Sequence, residues 1–478
     1  MRFEPTLVLA LAGLCACTGS GRFLDTSVDA GPSDPTTEPG PTTPPDDGAV
    51  TEVDAESSDV TTVPRVHFTL TEEVDGVLVE YSFDEGIWLR SPEREGYEGA
   101  HSEYLLGVPE LHDVLFRIVT LRDGDETVTE SEWSYGNGPA PSTLPDPNDL
   151  FFDASMAHDH RWVLGSLNDH DGGWTTGNYT VFLMDRQGRF VWGYETPDDA
   201  WALYPRVSKE GNHLILDASS YWASGFDATD SVLRRMTLDG MIWETIGVPG
   251  LHHSWDERDD GTIIWGSVLS WTDETIDYLV EGEGPIQSMW SCSDWLDEIG
   301  SNASCESNTV NWDPATDTVV FSFYTNDTVV EVQYPTGETN RQYGALPRSF
   351  EFDPPSSRFT WQHGTHYTTD GTLLLSTHPI DGTAEQRARE YLIDDDTQTL
   401  VEIWNYGEGT GKFAPTAGEV YRLDNGNYLI NYGGMAGIRE ITSDSEIAWD
   451  VSWSGSKLIG HTTLVDDLYA LLEGPASK

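Results

Sequence analysis

The sequence predicts an all-β protein: a six-bladed β-propeller preceded by an N-terminal β-sandwich domain. Three observations carry this expectation. From about residue 150 to 470 one unit recurs, an acidic or polar turn with Gly followed by an aromatic or β-branched run; this is the strongest short-range signal for a hairpin. Upstream, shorter runs alternate apolar and polar residues as half-buried strands do. Heptads and long helical periods are missing from the same repeat region.

The N-terminus comes first. Arg2 gives a minimal positive start, and Leu7-Val8-Leu9-Ala10-Leu11-Ala12-Gly13-Leu14 is an apolar run of about 8 residues. That is signal-peptide length and well short of the ~20 residues of a spanning helix. Leu14-Cys15-Ala16-Cys17 then fits a bacterial lipobox, with a small residue directly before Cys17. Cys15 fits less well, because bulky Leu14 precedes it. Residues 1–16 are therefore expected to be a lipoprotein signal peptide and Cys17 the lipidated residue. The protein is then expected in the cell envelope, held to a membrane by an N-terminal lipid anchor only. Residues 17–64 are rich in Thr, Pro, Gly, Asp and Glu, as in Asp34-Pro35-Thr36-Thr37-Glu38-Pro39. Such a stretch buries too little surface to offset ordering entropy and reads as a disordered acidic tether.

Residues 65–141 change character. Val66-His67-Phe68-Thr69-Leu70, Val77-Leu78-Val79-Glu80-Tyr81 and Val114-Leu115-Phe116-Arg117-Ile118 read as strands of a small sandwich. Their order and spacing resemble a fibronectin type III domain, which implies a spacer or binding module. Residues 142–478 carry the hairpin repeat, as in Asp259-Asp260-Gly261-Thr262-Ile263-Ile264-Trp265 and Asp424-Asn425-Gly426-Asn427-Tyr428. At about 50 residues per blade the natural count is six, with seven also open. Tryptophans such as Trp192, Trp243, Trp265, Trp404 and Trp449 follow turns at strand positions and are expected in the core between blades.

Charge excludes one class of partner. With 82 acidic and 25 basic residues the net charge is −57, and nucleic-acid binding needs clustered Lys and Arg. Cys292 and Cys305 are the two cysteines outside the N-terminal segment. In an oxidising compartment they can pair and close a short loop worth roughly 3 kcal/mol; they are too few for a cysteine metal site.

Propellers bind ligands where loops and inner strands of several blades converge. Two histidine clusters occupy matching places, each about 7 to 9 residues ahead of a turn glycine: Leu251-His252-His253-Ser254 before Gly261, and Gln362-His363-Gly364-Thr365-His366 before Gly371. Matching places in a propeller face the same axis. A metal set of His252, His253, His363 and His366, with Glu306 as carboxylate, is the weaker alternative, because the spacing is not specific.

Across residues 160–470 these segments resemble the bacterial aryl-sulfate sulfotransferases, which are periplasmic six-bladed propellers. His252-His253-Ser254 stands where that family has His-His-Asp, and Gln362-His363-Gly364 where it has Gln-His-Asp. Glu306-Ser307-Asn308-Thr309-Val310 matches its His-x-Asn-Ser-Ile, Gln386-Arg387-Ala388-Arg389-Glu390-Tyr391 its Ser-Arg-x-x-Glu-Tyr, and Leu423-Asp424-Asn425-Gly426-Asn427 its Leu-x-Asn-Gly-Asn. The resemblance implies transfer of a sulfuryl group from a phenolic sulfate ester to a phenol through a sulfohistidine, with no cofactor. It implies His363 as nucleophile and His252 or His253 as hydrogen-bond donor, with Arg387 or His366 adding positive charge. In two places the chain departs from the family: Glu306 replaces a histidine and Tyr324 an arginine. A surface propeller that keeps the fold but binds glycans, peptides or another extracellular ligand is the alternative these departures motivate.

The anchor is tested directly. Cys17→Ser is expected to abolish labelling by a radioactive fatty acid and to move the protein out of the membrane fraction. A variant that stays labelled and sedimenting would refute the assignment.

Overall fold

The computed structural model describes residues 48–474 apart from 85–86, 169–178, 197–200, 220–227, 271–272, 283, 379–384, 415 and 456. The expected signal peptide, Cys17 and most of the tether lie outside the described residues. Among the described residues one α-helix, Cys292–Ile299, and a few short 3-10 turns interrupt an otherwise β structure.

The sandwich has two sheets. Strands Val50–Ser57, Pro64–Leu70 and Gly99–Tyr104 form one; the other is built on Val74–Ser82 and Asp113–Arg122, flanked by Leu89–Arg90, Arg94–Gly96, Asp125–Val128 and Trp133–Gly136. Their inner faces meet in a core of Val66, Phe68, Val79, Tyr81, Phe116 and Ile118. The first strand falls inside the stretch read as tether, which corrects the boundary at residue 64. Its apolar positions are few, Val50, Val53 and Ala55 among acidic residues, and most of its side chains stay exposed. Pairing with Pro64–Leu70, from Val50↔Leu70 to Ser57↔Pro64, is what fixes it as a strand.

Six sheets follow, which are the six blades. Blade 1 holds Trp162–Asn168, Tyr179–Asp185 and Phe190–Glu195; blade 2 runs from Arg206–Val207 to Ile242–Gly247; blade 3 from Leu251–Glu257 to Gln287–Ser291. Blade 4 runs from Ser307–Asp313 to Thr339–Gly344, blade 5 from Thr360–Tyr367 to Thr399–Tyr406, and blade 6 from Glu419–Arg422 to Ile447–Ser452. Two chain ends close the ring. The last strand, Ile459–Val465, pairs antiparallel with Trp162–Asn168 as the innermost strand of blade 1, and Asp149–Phe152 adds to the outer edge of blade 6 along Ile447–Ser452.

The turn signals work as expected: Gly261, Gly371 and Gly426 have φ of +80°, +77° and +87°, a region closed to most side chains. Trp192, Trp265 and Trp449 are fully buried. Trp243 and Trp404 sit on outer strands and are half-buried, Trp404 stacking on Tyr428 with ring centroids 3.7 Å apart.

The two cysteines are joined. Cys292 opens the helix, whose N-terminus is capped by Ser291 Oγ accepting from the Asp294 N–H at 3.2 Å. Cys305 ends the returning loop one residue before Glu306. Buried Trp295 and Leu296 press the helix against Phe321 and Phe323. Because a short loop is closed, Cys305→Ser is expected to lower unfolding free energy by about 2–4 kcal/mol in urea titrations under oxidising conditions. Equal midpoints for variant and parent would show that the loop is held by packing alone.

Candidate active site in the propeller channel

The innermost strands of three successive blades are irregular where the histidines lie. In blade 3 the register slips between Leu251 and Trp255, the stretch holding His252 and His253. In blade 4 it slips between Ser307 and Thr309. In blade 5 it slips twice, on either side of His363. Bulges of this kind re-aim side chains that a regular ladder would place on alternate faces.

His363 is held by its neighbours on both sides. Trp361 adopts φ +51° and Gly364 φ +61°; the first is a strained state for a non-glycine residue, costing of order 1–3 kcal/mol. A Cβ on Gly364 would come within 2.9 Å of the Glu419 Cα, which with the positive φ favours glycine here. Between them Gln362 is fully buried, and its amide donates to Ser322 Oγ, the Phe323 carbonyl and the Thr328 carbonyl at 3.0–3.1 Å. Blade 4 completes the grip: Asn308 Nδ2 donates to the Gln362 carbonyl at 2.6 Å, and the Gly364 N–H donates to Thr309 Oγ1 at 2.9 Å.

A cavity of about 120 Å³ opens here, with His253, His363, Tyr324, Trp361 and Glu419 in its wall. His363 Nδ1 lies 3.0 Å from the Trp361 carbonyl. A carbonyl only accepts, so Nδ1 carries the proton and Nε2 keeps its lone pair. Burial pushes the His363 imidazolium down to about 4, His378 adding to the shift, while the Trp361 hydrogen bond and Glu419 oppose it. His252 and His253 face each other through their Nδ1 atoms at 2.9 Å, one donating and the other accepting. Burial brings His252 down to about 3. His253 is driven well below the usual histidine range by burial first, then by His252 and His363. All three rings are therefore neutral at pH 7. The Tyr324 ring stacks on His363 at 5.9 Å, and its hydroxyl donates to Glu306 Oε2 at 2.8 Å.

The remaining expected residues fall elsewhere. His252 touches His253 but is not among the residues of the cavity wall. Glu306 is exposed and reaches the cavity only through Tyr324. His366, three residues along the same strand, stacks on Tyr421 at 4.9 Å with Nδ1 on the Gly364 carbonyl. Arg387 is engaged by Glu408 at 3.2 Å and Glu385 at 3.7 Å and is not part of the described wall. Neither supplies the positive charge expected of it. Nor do His252, His253, His363 and His366 form a metal set: among the described residues the grouping compact enough for an ion is His158, Asp159 and His160.

Glu419, Tyr204, Leu458 and the closing-strand residues Ile459 and Gly460 also line the cavity, and no sequence motif singled them out. Glu419 was within reach, since it lies seven residues ahead of Gly426, in the same window that found the histidines. Burial alone would raise its carboxyl; His461 at 3.1 Å and then Arg206 hold it below the usual carboxylate range.

Residues 167–458 match the family model described as Arylsulfotransferase (ASST). No curated protein matches the sequence. Among solved structures, the chain is similar to the periplasmic gluconolactonase of Pseudomonas aeruginosa (14% identity, 82% of this chain and 98% of that chain, TM-score 0.39). It is also similar to a protein of unknown function from Bacteroides caccae (14% identity, 63% and 98% covered, TM-score 0.42) and to a virginiamycin B lyase from Staphylococcus aureus (13% identity, 63% and 88% covered, TM-score 0.37). The family match, by contrast, covers more than half of the chain, including both bulged histidine strands, and this protein belongs to the arylsulfotransferase family.

Proposed function

We propose that the protein moves a sulfuryl group from a phenolic sulfate ester to a phenol through a sulfohistidine at His363. One observation carries this reading: a neutral His363, with its proton fixed on Nδ1 by the Trp361 carbonyl, keeps the Nε2 lone pair in a cavity shared with His253. In the first half-reaction Nε2 attacks sulfur, an N–S bond forms and the S–O bond to the aryl group breaks. The phenolate leaves with a hydrogen bond from the neutral His253 ring and takes its proton from solvent. In the second, an acceptor phenol loses its proton to solvent as its oxygen attacks sulfur, and the N–S bond breaks. His252 orients the His253 ring through the shared Nδ1 contact. Walls of Tyr204, Tyr324 and Trp361 suit the aromatic ring of either phenol.

A second reading rests on a specific feature. Glu419 is the one carboxylate among the described cavity residues, and none of them is Lys or Arg, whereas a sulfate ester is an anion. A carboxylate about 4 Å from it is unfavourable by roughly 1–4 kcal/mol at effective dielectrics from 80 to 20. On this reading the propeller binds an extracellular ligand without turnover. In either case the two packed N-terminal sheets, of three and six strands, support a fibronectin type III-like spacer, and the N-terminal lipobox supports attachment at the cell envelope.

The two readings separate on one assay. With 4-nitrophenyl sulfate and phenol, the transferase reading expects nitrophenolate release and a sulfated peptide containing His363. His363→Ala should abolish both, and His253→Ala should slow turnover by about 10²–10³ through loss of a hydrogen-bond donor to the departing oxygen. A well-folded protein that gives neither product nor sulfated peptide leaves the binding reading.

The titration has a definite sign. Folded His363 and His252 hold protons only near pH 4 and below, whereas the unfolded rings protonate near pH 6.5. Their contribution to stability is full above about pH 6.5 and is lost as the pH falls towards 4, where the unfolded chain binds more protons. Imidazole NMR signals of both rings should stay neutral down to pH 5. A midpoint near 6.5 for His363 would contradict the burial argument.

A further inference from the structure

The cavity has an electrostatic character that sulfuryl transfer alone does not explain. Five aromatic side chains, Tyr179, Trp201, Tyr204, Tyr324 and Trp361, line it together with Glu419. Tyr179 and Trp201 lie with ring centroids 4.8 Å apart. Trp361, 54% exposed, stands on a strained backbone whose N–H is held by Asp327 Oδ1 at 2.9 Å. Glu419 is buried and, with its carboxyl held below the usual range, ionised. Its neighbours are His461, with Nδ1 3.1 Å away and outside the cavity wall, and Arg206, itself engaged by Asp256 at 3.4 Å. The short segments between residues 85 and 456 that lie outside the described residues contain no Lys or Arg.

Aromatic faces present negative quadrupole density, and a buried carboxylate adds full negative charge. Neutral His253 and His363 add donors and acceptors but no cation. Such a wall attracts a positively charged ligand and repels a negatively charged one. We propose that the channel cavity takes a ligand bearing an organic ammonium group, held by the Glu419 carboxylate and the aromatic walls. Resting on the sulfotransferase reading, this names the substrate class as a phenolic amine or its sulfate ester. In such a zwitterion the ammonium offsets Glu419 while the sulfate faces His363. The requirement for a cation on the substrate takes the place of a cation in the protein.

The test is a charge series on the full chain, read by calorimetry at pH 7: tyramine, 4-ethylphenol and 3-(4-hydroxyphenyl)propionate. The net charge of −57 attracts any cation diffusely, so the series is repeated at about 1 M salt, where the screening length falls to about 3 Å. Tyramine is expected to bind about tenfold or more tighter than 4-ethylphenol at both salt levels, with the propionate weakest. Glu419→Gln should bring the tyramine to 4-ethylphenol ratio to within about twofold. Should that variant fail to fold, Trp361→Leu, at an exposed position, is expected to reduce the ratio severalfold. Equal affinities across the series, a preference that vanishes in high salt, or a ratio unchanged in both variants would overturn the proposal. The series uses no sulfate ester and needs no turnover. A missing sulfohistidine therefore defeats the transferase reading and not this one, and a flat series defeats this one alone.

Discussion

Ring closure is the constraint on which the rest of the structure depends. A propeller blade buries its faces against its two neighbours, so an open arc leaves two sheets half-exposed. Here the two open ends are stitched twice. The last strand, Ile459–Val465, becomes the inner strand of blade 1, and Asp149–Phe152 becomes the outer strand of blade 6. Each stitch joins residues about 300 positions apart, a large loop-closure entropy offset by backbone pairing and by cores such as Leu167, Phe182, Trp449 and Ile459. The cavity is a direct product of that closure. Its wall takes His253 from blade 3, His363 from blade 5, Glu419 from blade 6 and Gly460 from the closing strand.

Regular blades position nothing chemically; the departures from regularity do. The inner strands bulge at His252 and His253, at Asn308 and on both sides of His363. The most deformed of them is also the most tightly tied. Gln362 is anchored by three acceptors around its two amide N–H bonds and by Asn308, so the strain at Trp361 is held by its surroundings. The neighbouring disulfide loop acts on the same wall: Cys305 precedes Glu306, Glu306 accepts from Tyr324, and Tyr324 stacks on His363.

Charge follows a different logic from composition. With 25 basic residues against 82 acidic ones, many of the described cations are held by carboxylates: Arg387 by Glu385 and Glu408, Arg206 by Asp256, Arg186 by Glu440. The cavity is left with neutral imidazoles, aromatic faces and one ionised carboxylate. A site built this way handles anions only through donors and through charges that the ligand brings.

The sequence by itself determined the all-β class, the hairpin repeat and the two histidine positions. Those rest on local rules: Asp-Gly and Asn-Gly turns need left-handed glycines, and a period of two marks a strand wherever it lies. The same local signal also held Glu419, passed over because a carboxylate in so acidic a chain draws no notice. Only the tertiary structure decided which side chains meet. It recruited Val50–Ser57 into the sandwich through pairing that its own composition does not advertise. It turned Arg387 to its acidic neighbours and left His366 stacked on Tyr421. It also brought Tyr204 and Gly460, about 250 residues apart in the sequence, to the same wall. Those outcomes depend on bulges, ion pairs and strand register across hundreds of residues, and no spacing rule within one repeat carries them.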